Sequence, residues 1–248
     1  MPLNPEKIRK NLKNSLTIRT FSSVSSTNDE AKRLAESDRG IVLYAADSQT
    51  AGRGRRGHSF YSPPTGLYMT LSFPLGGEAA DIQRLTCAAA VAVCGAITSL
   101  SELEPTVKWV NDVYIGGRKV AGILAELVLD AHNRPLRVIV GIGVNLTTAD
   151  FPDDFAARAG SIGDLDASVL CAAITDRLIE LYRDLNNISI IEKYKTLNFC
   201  IGREITYTDR DGNHTATAAD IASDGSLIVS ENGVTKKLSS GEISVRIN

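Results

Sequence analysis

Three Asx-Gly pairs, Asp211-Gly212, Asp224-Gly225 and Asn232-Gly233, punctuate the stretch 199–248. Such pairs supply the positive-φ residues of tight hairpin turns, and turns in all-β domains recur about every 8–12 residues. The end of the chain is therefore expected to be a small barrel of about five strands. The preceding 198 residues have a different texture. The run 79–100 is rich in Ala, Val and Cys, has no Pro and no Gly before Gly95, and is long enough to favour a buried helix over a strand. The stretch 168–185 reads as an amphipathic helix. Strand-like runs fall at 41–46, 67–73, 107–110, 113–115, 119–129 and 136–146, with turns at Gly116-Gly117 and Asn133-Arg134-Pro135. Thr27-Asn28-Asp29-Glu30 has the form of a capping box, with Thr27 as N-cap of a further helix. Helices and strands do not alternate regularly, so the expected class is α+β: a mixed β-sheet with helices over 1–198, and a small β-barrel over 199–248.

Composition excludes several function classes. With 43% hydrophobic and 23% charged residues in 248, the chain is neither disordered nor fibrous. Its formal net charge of −2 argues against wholesale duplex binding, so any anion contact must come from a local cluster. The N-terminal residues 1–16 are polar and lack a signal-peptide core, and the most apolar stretch, 87–97, is too short to span a bilayer. A cytoplasmic, membrane-free protein is expected. The four cysteines show no paired spacing, and the three histidines are far apart, which argues against a protein-built zinc site.

The cations bunch at Gly52-Arg53-Gly54-Arg55-Arg56-Gly57. Three guanidinium groups repel one another and three glycines make a loop costly to order, so the segment makes sense as a loop ordered by an anion such as a polyphosphate or an adenylate. A solvated basic loop and an RNA contact are the other readings, and the Walker A spacing is absent. The second segment is Lys108-Trp109-Val110-Asn111-Asp112, followed across the Gly-Gly turn by Lys119. A hairpin there brings the Asp112 carboxylate and the Lys119 ammonium to one mouth, although a surface salt bridge would have the same sequence and Trp109 alone would suit a core. In Gly141-Ile142-Gly143-Val144-Asn145, position 146 is Leu, so the dinucleotide fingerprint fails. The strand glycines imply close approach of a ligand or a neighbouring backbone, with the Asn145 amide beside them.

Taken together, these segments resemble biotin protein ligases. The resemblance runs from Ser26-Thr27-Asn28 through Gln49-Thr50-Ala51, the glycine–arginine loop, KWVND, 119–124 and GIGVN to Ser239-Ser240-Gly241-Glu242, and so covers nearly the whole chain. It implies the class II synthetase-like catalytic fold of those enzymes with a C-terminal SH3-like barrel. The implied reaction has ATP and biotin as substrates and uses Mg²⁺. Biotin is activated as biotinyl-5′-AMP and transferred to a lysine of a biotin carboxyl carrier protein domain.

By this resemblance Ser26, Thr27, Asn28, Gln49, Arg53, Gly54, Arg55 and Lys119 line the biotin pocket, with backbone from Gly122 and Leu124. Gly52, Trp109, Asn111, Gly143 and Asn145 are added as further contacts to biotin or its adenylate. Lys119 and Arg55 are the expected catalytic cations, together with Arg53 around the phosphates. Asp112 is the expected magnesium ligand and a candidate for the acceptor lysine's proton. Val110 stands where the family usually has Pro; no charge or donor is lost, and activity is expected to survive. Few residues precede Ser26, so a catalytic-only member is expected, without repressor function or DNA contact and with a homodimer as one possible assembly. Two alternatives stay open: a lipoate or octanoate ligase of related fold, and a nucleic-acid module built on the arginine loop.

Overall fold

The structure, a computed structural model, describes residues 2–75, 81–209 and 212–239, and the backbone of 244–247. Helix α1 (Pro5–Asn11) leads into β1 (Thr17–Phe21), α2 (Thr27–Arg33), β2 (Val42–Ala46) and β3 (Gly66–Pro74). Helix α3 (Ile82–Leu100) is followed by β4 (Thr106–Lys108), β5 (Asp112–Ile115), β6 (Arg118–Leu129) and β7 (Pro135–Asn145). Three helices, α4 (Asp153–Ala156), α5 (Ala167–Arg183) and α6 (Ile188–Leu197), complete this part. Its strands form one sheet in the order β1-β2-β3-β7-β6-β5-β4, with β1 and β2 parallel and the other pairs antiparallel. The α+β reading holds.

Strand periodicity decides which face does what. On β3 and β7, Leu67, Met69, Leu71 and Phe73 share a buried apolar face with Val138, Val140, Ile142 and Val144, in one core with α3 and α5. The intervening residues, Tyr68 and Thr70 on β3 opposite Gly143 and Gly141 on β7, make a second face of hydroxyl side chains and glycines. Among the described residues, α2 and the loop after β2 lie over that face and border a basin. Helix α3 has the length and apolarity of a membrane span, but most of that stretch is buried in this core.

The C-terminal part is a five-stranded antiparallel sheet in SH3-like style, ordered β11-β10-β9-β8-β12. Its strands are β8 (Glu204–Asp209), β9 (Gly212–Ile221), β10 (Leu227–Glu231), β11 (Val234–Leu238) and β12 (Ser244–Ile247). The turn between β9 and β10 docks on the first part. Gln83 Nε2 donates to Ser226 Oγ at 2.8 Å, and Trp109 Nε1 donates to the Gly225 carbonyl at 2.9 Å. Gly225 has φ +83°, and a Cβ there would lie 2.7 Å from Cys87 Sγ, so both backbone shape and space require glycine. Of the expected motifs, Asp211 and Ser240-Gly241-Glu242 lie outside the described residues.

Two local expectations are corrected. The capping box does not form: Ser26, not Thr27, holds the N-cap position of α2, with no side-chain cap bond. Thr27 is drawn away by Gln49, whose Oε1 accepts from its N–H at 2.9 Å and its hydroxyl at 3.2 Å. The strand expected over 107–110 ends at Lys108, where the chain turns through a cis Trp109–Val110 peptide. Val110, buried, is held there by Tyr194, whose hydroxyl donates to its carbonyl at 2.9 Å.

Candidate active site

The basin on the polar sheet face is a cavity of about 400 Å³, within the usual range of small-molecule sites. Its floor is glycine because larger residues would fill it. Gly122 and Gly143 are direct partners across β6 and β7, and the Phe60 ring lies on both. A Cβ at Gly143 would fall 2.6 Å from that ring and one at Gly122 3.1 Å. A Cβ at Gly141 would fall 2.2 Å from Asn28 Oδ1. One wall is the start of α2, with Ser26, Thr27 and Asn28, all buried, and Gln49 beside them.

The glycine–arginine loop forms a second wall. It closes on itself through Gly54 N–H to the His58 carbonyl at 2.6 Å and Phe60 N–H to the Gly52 carbonyl at 2.8 Å. Arg53 pairs with Asp29 at 3.0 Å, and Arg55 Nη1 donates to Asn111 Oδ1 at 3.2 Å. Burial pulls the Arg55 guanidinium below its ordinary pKa, with Asp112 opposing that shift.

Opposite stands the β4–β5–β6 hairpin pair. Lys119 Nζ meets Asp112 Oδ1 at 2.6 Å. Simple alternation along β6 would send Lys119 and Gly122 to opposite faces. The register of β5 against β6 slips by one residue, with Val113 opposite Ala121 but Tyr114 opposite Lys119. This bulge turns Lys119 to the cavity, where its Cε lies 3.5 Å from the Cβ position of Gly122. Lys108 also lines the cavity; burial lowers its pKa and Asp112 opposes. Tyr114 is pushed up to about 12, chiefly by burial. The chain around Arg158 forms the last side, stitched to β6 by Lys119 N–H to the Arg158 carbonyl and Gly160 N–H to the Lys119 carbonyl, both 2.8 Å.

The cavity wall includes Ser26, Thr27, Asn28, Gln49, Arg53, Gly54 and Arg55 from the first half of the expected set. From the second half it includes Trp109, Asn111, Asp112, Lys119, Gly122, Leu124 and Gly143. Gly52 and Asn145 do not belong to it. Gly52 is buried beneath the loop, where a Cβ would collide with the Phe60 carbonyl and Ser62 Oγ at 2.4 Å, and Asn145 Nδ2 donates to the Gly160 carbonyl at 3.0 Å. Sequence reasoning missed Phe60, Lys108, Tyr114 and Arg158. Phe60 could have been found, as an aromatic three residues beyond the loop. Nothing in the local sequence around Arg158 marks it, because a contact between distant segments brings it in.

No group of three metal-ligating side chains occurs among the described residues. Asp112 is the carboxylate among the cavity-lining residues. Its Oδ1 is buried without an aligned hydrogen bond although the Lys119 ammonium touches it. Asn111 is committed, accepting from Arg55 and donating to the Ile123 carbonyl at 2.9 Å.

Residues 20–145 match the biotin/lipoate A/B protein ligase family, and residues 200–246 match the biotin protein ligase C-terminal domain. The chain is 30% identical over 234 residues to the bifunctional ligase/repressor BirA of Bacillus subtilis, covering 89% of this chain and 71% of that protein. It is 30% identical over 220 residues to the biotin–[acetyl-CoA-carboxylase] ligase of Mycobacterium tuberculosis, covering 82% and 78%. Among solved structures, the biotin protein ligase of Aquifex aeolicus in complex with biotin and ATP superposes with a TM-score of 0.78 at 26% identity, covering 94% of this chain and all of that one.

Proposed function

This chain belongs to the biotin/lipoate A/B protein ligase family, and we propose that it is a biotin protein ligase that makes biotinyl-5′-AMP and passes the biotinyl group to a carrier-protein lysine. The observation that carries this reading is the convergence of the arginine loop, Asp112, Lys119 and the Ser26–Asn28 wall on one glycine-floored cavity. A biotin carboxylate is a weak nucleophile meeting an anionic phosphate. As its oxygen bonds to the α-phosphorus, the bond to the bridging oxygen breaks and pyrophosphate leaves with the electron pair. Lys119, Arg53 and Arg55 hold fixed positive charge where those oxygens gather, so little reorganisation is needed as the transition state forms. In the second step the acceptor amine attacks the anhydride carbonyl, gives up a proton and expels AMP. Asp112, the carboxylate among the cavity-lining residues, would take that proton, and it pairs with the Lys119 ammonium at 2.6 Å. The loop walls the anhydride from water until the acceptor arrives.

The residues fit a magnesium ion. In nucleotide sites it takes one or two protein carboxylates, with substrate phosphates and water completing the octahedron, and Asp112 is the carboxylate that would hold it. When bound, the ion neutralises charge on the phosphate oxygens.

The same proposal takes a biotin carboxyl carrier protein domain as acceptor, a division into units at 198/199, and a cytoplasmic setting that suits four buried, unpaired cysteines. It keeps a homodimer as one possible assembly and expects no DNA contact, which sedimentation and duplex titration at varied salt would check. The main test is biotin-dependent ATP–pyrophosphate exchange, repeated with lipoate and octanoate. Exchange with biotin alone supports the reading. Exchange with lipoate or octanoate instead transfers the chain to the related ligases, and no exchange from folded protein refutes carboxylate activation.

A further inference from the structure

Thr70 has no solvent exposure and is not part of the cavity wall, yet it touches two residues that are. Its Oγ1 donates to Asn28 Oδ1 at 2.6 Å and to Thr27 Oγ1 at 2.8 Å, one proton shared between two acceptors. The neighbouring groups have no freedom to reverse. Asn28 Nδ2 donates to Glu126 Oε2 at 2.8 Å, and a carboxylate can only accept, so the Asn28 carbonyl must face Thr70. Glu126 is itself held by the Lys32 ammonium at 2.7 Å. On the other side, Thr27 gives its proton to Gln49 Oε1, Gln49 Nε2 donates to Ser62 Oγ at 3.0 Å, and Ser62 donates to the Phe60 carbonyl at 2.8 Å. The relay is therefore anchored on an acceptor at each end, Glu126 and Phe60. Its protons run outward from the Thr27–Thr70 pair, which is left one proton short.

We infer that Thr70 is a positioning residue, backed by Glu126, that fixes the hydrogen-bond polarity of the pocket's Thr27–Gln49 end. That end presents an acceptor at Thr27 Oγ1 and a donor at the second Gln49 N–H. The inference rests on the biotin-ligase reading, since Thr27, Asn28 and Gln49 are among the residues expected to line the biotin pocket. Thr70 sits mid-strand on β3 opposite Gly141, where Val would fit the strand equally well, so its hydroxyl is not required for the sheet.

Thr70→Val and Thr70→Ser are compared with the unmodified protein in biotin-dependent ATP–pyrophosphate exchange, varying biotin and ATP separately. The Val variant leaves the Asn28 carbonyl buried without a donor, so KM for biotin is expected to rise roughly ten- to hundred-fold with KM for ATP unchanged. Thr70→Ser should restore it to within a few-fold. Should the Val protein fail to fold, Glu126→Leu, at a half-exposed site, carries the test with the same split between the two KM values. Normal KM for biotin in a folded Val variant, or equal rises for biotin and ATP that Ser does not reverse, overturns the assignment alone. Absence of biotin-dependent exchange in the unmodified protein overturns the ligase reading, and this inference with it.

Discussion

Gly141 and Gly143 lie two residues apart on the same face of β7, both under the cavity, and they should respond very differently to a single methyl group. At Gly141 the new Cβ would lie 2.2 Å from Asn28 Oδ1, 2.8 Å from its Cγ and 3.0 Å from its Nδ2. Asn28 cannot rotate away cheaply, because Thr70 holds its carbonyl at 2.6 Å and Glu126 its amide at 2.8 Å. Expelling it breaks a neutral hydrogen bond and one to a carboxylate, about 2–4 kcal/mol together. The gain of about 0.4–1 kcal/mol from stiffening the unfolded chain offsets only part of that. For a chain of this size Gly141→Ala should lower Tm by roughly 5–10 °C. At Gly143 the clash is with the Phe60 ring at 2.6 Å, the end of a half-buried side chain that can swing into the open cavity. Gly143→Ala should therefore shift Tm by no more than about 2 °C, while slowing biotin-dependent exchange because it raises the floor. Differential scanning calorimetry of the two variants decides it. Equal Tm losses, or a Gly141→Ala protein as stable as the unmodified one, would refute the claim that Asn28 is locked from both sides.

Lys119→Gln removes the ammonium beside Asp112 and should cut pyrophosphate exchange by roughly a hundred-fold or more with little loss of fold, measured by initial rates and circular dichroism. Trp109→Phe deletes the indole N–H that the Gly225 carbonyl accepts and should cost about 1–3 kcal/mol in urea denaturation, which tests whether the C-terminal sheet helps to hold the cavity wall. The small domain also has a pH signature. Hydrogen bonds that His214 donates to the Glu231 carboxylate, then to that of Asp209, raise its pKa above 6.5, and the bonds that Lys236 and Tyr207 donate lower Glu231 from 4.5 to about 2. The His214 contribution is complete below pH 6.5 and disappears as pH rises through its raised folded value; that of Glu231 is complete above 4.5 and disappears as pH falls toward 2. The Tm gap between the unmodified protein and His214→Gln should thus be largest between pH 4.5 and 6.5. A gap that is constant from pH 4 to 9 would count against the pairing.

Much of this protein was legible in the order of its residues. Alternating side chains on β3 and β7, the Gly-Gly and Asx-Gly turns and the long apolar α3 are local signals, because strand pleat, turn geometry and helix length act over a few bonds. The arginine loop announces itself for the same reason: cations bunched among glycines stand out against a globular background. What the tertiary structure decided are matters of register and of distant contact. Whether Lys119 faces the cavity depends on one slipped residue between β5 and β6, which alternation alone would have placed on the wrong side. Thr27 leaves its capping role because Gln49, from another loop, competes for its donors. Thr70 and Glu126 carry no motif at all, and Arg158 reaches the site only because its chain pairs with Lys119. Such positions are set by which backbone atoms end up adjacent after the sheet closes, and that adjacency is a property of the whole fold rather than of any segment.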